Sequence, residues 1–236
     1  MLLVTKKKLV GLVSLLFLFF FCFCKKSDST LVPNLPPSIN PIDTTKTEVN
    51  KECKNLSFDY KKQQGCDGQI YPDPQSSKYI LPFEKGKTVK MGLCNCSSSY
   101  HAAGRGDQYA FDFNMKEGTP LHAARGGVVH TVIENQSSNG GGSGNWLVIN
   151  HGDNTFGIYL HSPKNGIYVE KGDTIKQGQV VGEVGRSGLA GYPHLHFIVV
   201  KDNPVWPYKG IPISFKNVFP PDVILKTNGE YTACGN

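Results

Sequence analysis

From Tyr79 onward the chain is cut into short apolar runs by glycine-containing turns, and that punctuation leaves room for little except β-structure. The runs are Gly127–Ile133, Trp146–Asn150, Gly157–Leu160, Gly166–Val169, Gln179–Val184 and His194–Val200. Each is bounded by residues that favour turns. Asn139-Gly140-Gly141-Gly142, Gly152-Asp153-Asn154 and Lys171-Gly172-Asp173 read as hairpin connections. With 26 glycines and 15 prolines in 236 residues, and few long amphipathic helical patterns, a helix bundle is excluded. The expected fold is mainly β, an antiparallel sheet or sandwich of about seven to ten strands with almost no helix.

The N-terminus carries a different signal. Lys6, Lys7 and Lys8 precede Leu9–Cys24, a stretch without charge dominated by Leu and Phe. A membrane span takes about 20 apolar residues, so this shorter run reads as the apolar core of an export signal over residues 1–23. Its removal leaves Cys24 first, followed by Lys25-Lys26-Ser27-Asp28. A cysteine at that border resembles the lipobox of bacterial lipoproteins, with Cys22 as a competing site. The resemblance implies lipid on Cys24, attachment to a membrane and a place in the bacterial cell envelope; an uncleaved signal anchor is the alternative. The signal holds three of the six net positive charges, and no dense basic stripe remains. Nucleic acid is therefore not an expected partner.

Export bears on Cys53, Cys66, Cys94, Cys96 and Cys234, which in an oxidising compartment read as bridges rather than metal ligands. A Cys53–Cys66 bridge closing a short loop is expected, with Cys234 tied to Cys94 or Cys96. Residues 24–50, rich in Ser, Thr, Pro and Asn, read as a tether with too little apolar content to order itself. Residues 51–78 read as a small stapled extension, 79–217 as the main domain, and 218–236 as a tail.

The chemistry lies in the histidines. In Pro193-His194-Leu195-His196-Phe197, strand alternation puts both imidazoles on one face and Leu195 on the other. Such a pair can share a metal, or divide so that one binds it and the other handles protons. Tyr109-Ala110-Phe111-Asp112-Phe113 holds a carboxylate among alternating apolar neighbours. His101 lies upstream in an irregular stretch, and His161 ends the run Tyr159-Leu160-His161. His122, His130 and His151 read as structural or surface residues.

Together these segments resemble the M23 family of zinc metallopeptidases, the lysostaphin-like enzymes that cut peptidoglycan peptides. The likeness runs from about Leu81 to Phe215. It includes Pro82-Phe83, Glu117-Gly118-Thr119-Pro120, Ala123-Ala124-Arg125-Gly126-Gly127, Val148-Ile149-Asn150-His151-Gly152, Val169-Glu170-Lys171-Gly172-Asp173 and Val184-Gly185-Arg186-Ser187-Gly188. It implies one Zn²⁺ ion held by His101, Asp112 and His196, with His161 and His194 as catalytic histidines outside the metal's ligands. It further implies a peptidoglycan peptide as substrate. Asn145 and Tyr159 are candidate substrate contacts, and Ser137–Gly144, rich in Gly and Ser, reads as a flap rimming the cleft or simply as a linker. Two imidazoles and one carboxylate leave an open fourth position on the metal for water.

Two other readings compete. One is a catalytically silent envelope module of the same fold, which binds peptidoglycan or activates a partner hydrolase; zinc content separates it from an enzyme. The other is a biotinyl or lipoyl carrier, suggested by Val169–Asp173. It needs a modified hairpin lysine, and Val184–Pro193 contains none.

Overall fold

A computed structural model describes residues 53–54, 56–137 and 141–235. All of them fall in the second of two units into which the chain divides, Ile42–Asn236. The proposed signal, Cys22, Cys24 and the tether lie outside the described residues. Among the described residues, no helix is long and apolar enough to cross a membrane.

The described residues hold eleven strands in chain order: β1 Thr88–Met91, β2 Phe111–Asn114, β3 Pro120–His122, β4 Gly127–Ile133, β5 Asn145–Asn150, β6 Thr155–Ser162, β7 Thr174–Ile175, β8 Val180–Glu183, β9 His194–Lys201, β10 Val218–Phe219 and β11 Glu230–Ala233. Nine form one sheet in the order β10-β11-β1-β2-β9-β6-β5-β4-β7, and β3 pairs with β8 in a second. Every ladder is antiparallel. The fold is therefore mainly β, as the spacing of the apolar runs predicts, with one strand more than the upper end of the expected seven to ten.

β9 lies in the middle of the large sheet, and its first seven residues are all buried. Its side chains feed two cores. Leu195, Phe197 and Val199 join the main cluster with Phe111, Phe113 and Tyr159, whereas Ile198 and Val200 join Ala110, Ile158 and Phe156 on the opposite face. His194 and His196 share the parity of Ile198 and Val200, so they stand at one end of this second face. Register completes the placement. Asp112 on β2 is directly opposite His196, and Leu160 on β6 faces His196 from the other side.

Three expectations are corrected. Gly166–Val169 does not form a strand: Gly166 N–H closes a turn on the Pro163 carbonyl, leaving Ile167 a single bridge to Gly182. The segment after Asn217 is not a loose tail, because β11 pairs with β1 and extends the main sheet. The cysteines pair as Cys53–Cys234 and Cys66–Cys96, and Cys94 is a buried free thiol. Cys53 thus does not bridge to Cys66, and Cys234 reaches neither Cys94 nor Cys96. The extension runs from the end of β11 to the loop after β1, so nearness in sequence did not become nearness in space.

Candidate metal centre

Asp112 and His196 meet as a cross-strand pair, with His196 Nδ1 at 3.0 Å from Asp112 Oδ1. His101 joins them from a 3₁₀ turn, Ser99–His101, in the loop between β1 and β2. Its Nε2 lies 3.4 Å from Asp112 Oδ1 and 3.4 Å from His196 Nδ1. All three side chains are buried and present one donor atom each to a common point. Ligand atoms at about 2.0–2.1 Å from one tetrahedral zinc stand roughly 3.3–3.4 Å apart. The three residues therefore fit a zinc ion in both donor type and spacing.

Charge supports the same fit. Burial alone would raise the Asp112 carboxyl, but hydrogen bonds from His101 and His196 outweigh it and hold the group well below the usual carboxylate range. Burial alone would lower His196, yet Asp107 and Asp112 on either side push it up to about 9. The cluster is built around positive charge.

Two further histidines face the cluster. The His161 and His194 rings have centroids 4.7 Å apart, and that of His161 is 5.9 Å from His196. Each uses Nδ1 on a backbone carbonyl: His161 pairs with Ser187 O at 2.8 Å, and His194 with Tyr192 O at 2.8 Å. A carbonyl only accepts, so both rings carry their proton on Nδ1 and offer a lone pair at Nε2. Burial, reinforced by neighbouring imidazoles, pushes His161 down to about 3 and also lowers His194. Both are neutral bases.

Simple alternation would turn His161 away from this face, because Tyr159 points to the main core. The ladder between β5 and β6 shifts register here, with Asn145 opposite Ser162 and Trp146 opposite Leu160. His161 is the extra residue of that bulge and adopts φ +77°. The bulge re-aims its imidazole toward His194.

The five residues line a cleft of about 590 Å³, shared with Tyr192, Tyr208 and Trp206. Gly142 and Ser143 also line it, so the described part of the Ser137–Gly144 loop does rim the site. Neither Asn145 nor Tyr159 lines the cleft. Asn145 is fully buried and spends its amide on the Gln136 and Ser162 carbonyls at 2.8 and 3.0 Å, while Tyr159 is 1% exposed and accepts from Ala124 N–H at 2.8 Å. Both hold strands together. His122, His130 and His151 lie outside the cluster, His122 and His151 each bonded through Nδ1 to a backbone carbonyl.

Sequence reading missed Asp107 and Tyr208. Tyr208 Oη donates to Asp107 Oδ1 at 3.0 Å, and Asp107 Oδ1 stands 3.6 Å from His196 Nε2. Neither belongs to a strand motif, and they are 101 positions apart, so no spacing could have marked them.

Residues 106–207 match the model of peptidase family M23. Over that span the chain is similar to the M23 peptidases. The matched span holds Asp112, His161, His194 and His196, while His101 lies just before it. Among curated relatives, the peptidoglycan DD-endopeptidase ShyA of Vibrio cholerae is 38% identical over 95 residues, covering 40% of this chain and 20% of the relative. Lysostaphin of Staphylococcus simulans is 38% identical over 92 residues, covering 39% of this chain and 18% of that protein. The chain thus spans about a fifth of the length of the curated relatives it matches. Among solved structures, the catalytic domain of the prophage-encoded M23 protein EnpA from Enterococcus faecalis aligns with a TM-score of 0.45 and 26% identity, over 56% of this chain and 94% of that one.

Proposed function

We propose that this chain is a zinc-dependent endopeptidase that hydrolyses peptide bonds in the stem peptides or cross-bridges of peptidoglycan. The observation that carries the reading is the convergence of His101, Asp112 and His196 in a cleft beside two neutral histidines, in a chain similar to the M23 peptidases. The name of ShyA, a peptidoglycan DD-endopeptidase, supports a cell-wall substrate, and the N-terminal apolar run and Cys24 support an envelope site with a lipid anchor.

His101 Nε2, Asp112 Oδ1 and His196 Nδ1 would hold the metal. A zinc ion there supplies a Lewis acid that polarises a peptide carbonyl and acidifies water. The protein supplies proton handling. His161 and His194 present Nε2 into the cleft, so one of them takes the proton from the attacking water and returns it to the departing amine. Once protonated at Nε2, an imidazolium can also donate a hydrogen bond to the oxyanion of the tetrahedral intermediate. The Ser187 and Tyr192 carbonyls fix both rings throughout. Closely packed strands on either side keep the geometry rigid, which is what proximity catalysis needs.

Digestion of purified peptidoglycan with the zinc-loaded chain, followed by mass analysis of released muropeptides, tests the proposal. Release of fragments carrying one new amine and one new carboxylate is expected, and chelation should stop it. Intact peptidoglycan after incubation with folded, zinc-loaded protein would overturn the reading.

A further inference from the structure

His196 is the one residue of the cluster held from both ring nitrogens by acids. Nδ1 faces Asp112 at 3.0 Å, and Nε2 faces Asp107 at 3.6 Å. An imidazole can give a metal its lone pair at Nδ1 only if its proton sits on Nε2, and that proton needs an acceptor. Asp107 is the acidic group on that side. Its side chain is 18% exposed, and Tyr208 donates to the same Oδ1 at 3.0 Å, which pins the carboxylate in place. The Asp107 carbonyl also closes the turn to Ala110 N–H at 2.9 Å, fixing the backbone one step before β2. Tyr208 lies beyond the other end of β9, in the loop that follows it.

Resting on the reading of His101, Asp112 and His196 as zinc ligands, we infer that Asp107, steadied by Tyr208, is a positioning residue that sets the tautomer and orientation of His196 for the metal. The distance of 3.6 Å is longer than a closed hydrogen bond, so the ring has a few tenths of an ångström to travel as Nδ1 settles on zinc. Asp107 touches neither substrate nor metal in this role. It acts through His196.

The test uses the full chain with its disulfides intact and zinc itself as the probe. Competition with a chromophoric chelator gives the zinc dissociation constant of wild type, Asp107→Ala, Asp107→Asn and Tyr208→Phe. Loss of a carboxylate behind a ligand histidine weakens metal binding by about 10–100-fold, and that is expected for Asp107→Ala. Asp107→Asn keeps an acceptor and should recover part of the loss, with Tyr208→Phe weakened least. Zinc-free melting temperatures report folding separately; if Asp107→Ala fails to fold, Tyr208→Phe carries the test. Nitrogen-15 NMR of the zinc-loaded protein should place the His196 proton on Nε2 in wild type and show it poorly protected in Asp107→Ala. Unchanged zinc affinity in a folded Asp107→Ala, or a His196 proton on Nδ1 in wild type, would overturn the inference. A wild type that binds zinc tightly but leaves peptidoglycan intact would instead overturn the peptidase reading and leave this one standing.

Discussion

His194 and His196 share a strand face two residues apart, yet their hydrogen bonds assign them different work. Tyr192 O occupies His194 Nδ1, whereas His196 Nδ1 is turned to Asp112. His196→Ala is therefore expected to lose zinc and peptidoglycan cleavage together. His194→Ala should keep its zinc while the rate falls by about 10²–10⁴-fold, the usual worth of acid–base help. Metal analysis alongside turnover checks this, and equal zinc loss in both variants would refute the division. The strand face was legible in sequence because period-two alternation needs no tertiary knowledge. His161 was placed by likeness alone, since the bulge that turns it inward is invisible to alternation. A histidine outside the site gives a pH prediction. His151 is pushed down to about 4, first by burial and then by the nearby Arg125 charge, against its bond to the Gly126 carbonyl. Below about pH 6.5 the unfolded chain takes up a proton that the folded chain refuses until about pH 4, so stability falls across that window as pH drops. Asn in its place keeps a donor for Gly126 and cannot titrate. Between pH 7 and 5 the wild type should lose roughly 2 kcal/mol more than His151→Asn in urea unfolding. Equal losses would show that His151 stays solvated.

At the scale of elements, the least regular segment of the domain delivers His101, a proposed metal ligand. His101 comes from the loop after β1, and the 51–78 extension braces that loop. The Cys66–Cys96 bridge ties the two covalently. Next to it, Asp67 accepts from Gln108 Nε2 at 2.7 Å and from the Tyr109 hydroxyl, and Gln108 Oε1 in turn accepts from Gly104 N–H at 2.9 Å. The extension thus has a role that composition could not supply. Its partners sit 30 to 42 residues away in an irregular stretch, where only three-dimensional proximity reveals them. By contrast, β4 keeps the bounds Gly127–Ile133 that its apolar run predicts, because a seven-residue run rich in β-branched residues and bounded by a glycine turn leaves little alternative. Replacing Cys66 and Cys96 by serine should lower stability by about 3–4 kcal/mol on chain-entropy grounds. Zinc affinity should fall as well, because the loop presenting His101 gains freedom. Denaturant unfolding and zinc titration of the double variant check both, and an unchanged zinc affinity would show that the loop is held without the bridge.

The whole molecule depends on the end of the chain. β10 and β11 cover the edge of β1, and Cys234 fastens β11 to Cys53. Strands of two and four residues carry almost no periodic signal, which is why this stretch reads as a tail in sequence. Ending the chain at Asn217 should expose β1 as an open sheet edge and give aggregated product. Soluble yield and near-ultraviolet circular dichroism would show it, and a soluble truncation melting like the intact chain would contradict it. Among the described non-glycine residues with positive φ, His161 is the one inside a strand; the others lie in loops and turns. Four of those six are Asn or Asp, which tolerate that backbone well. Such a conformation costs of order 1–3 kcal/mol and lasts only while its surroundings enforce it. Selection for folding alone would thus favour glycine or asparagine at this position. On the proposed peptidase reading, a lineage freed from that work would lose His161 early, and its sheet would gain by the exchange.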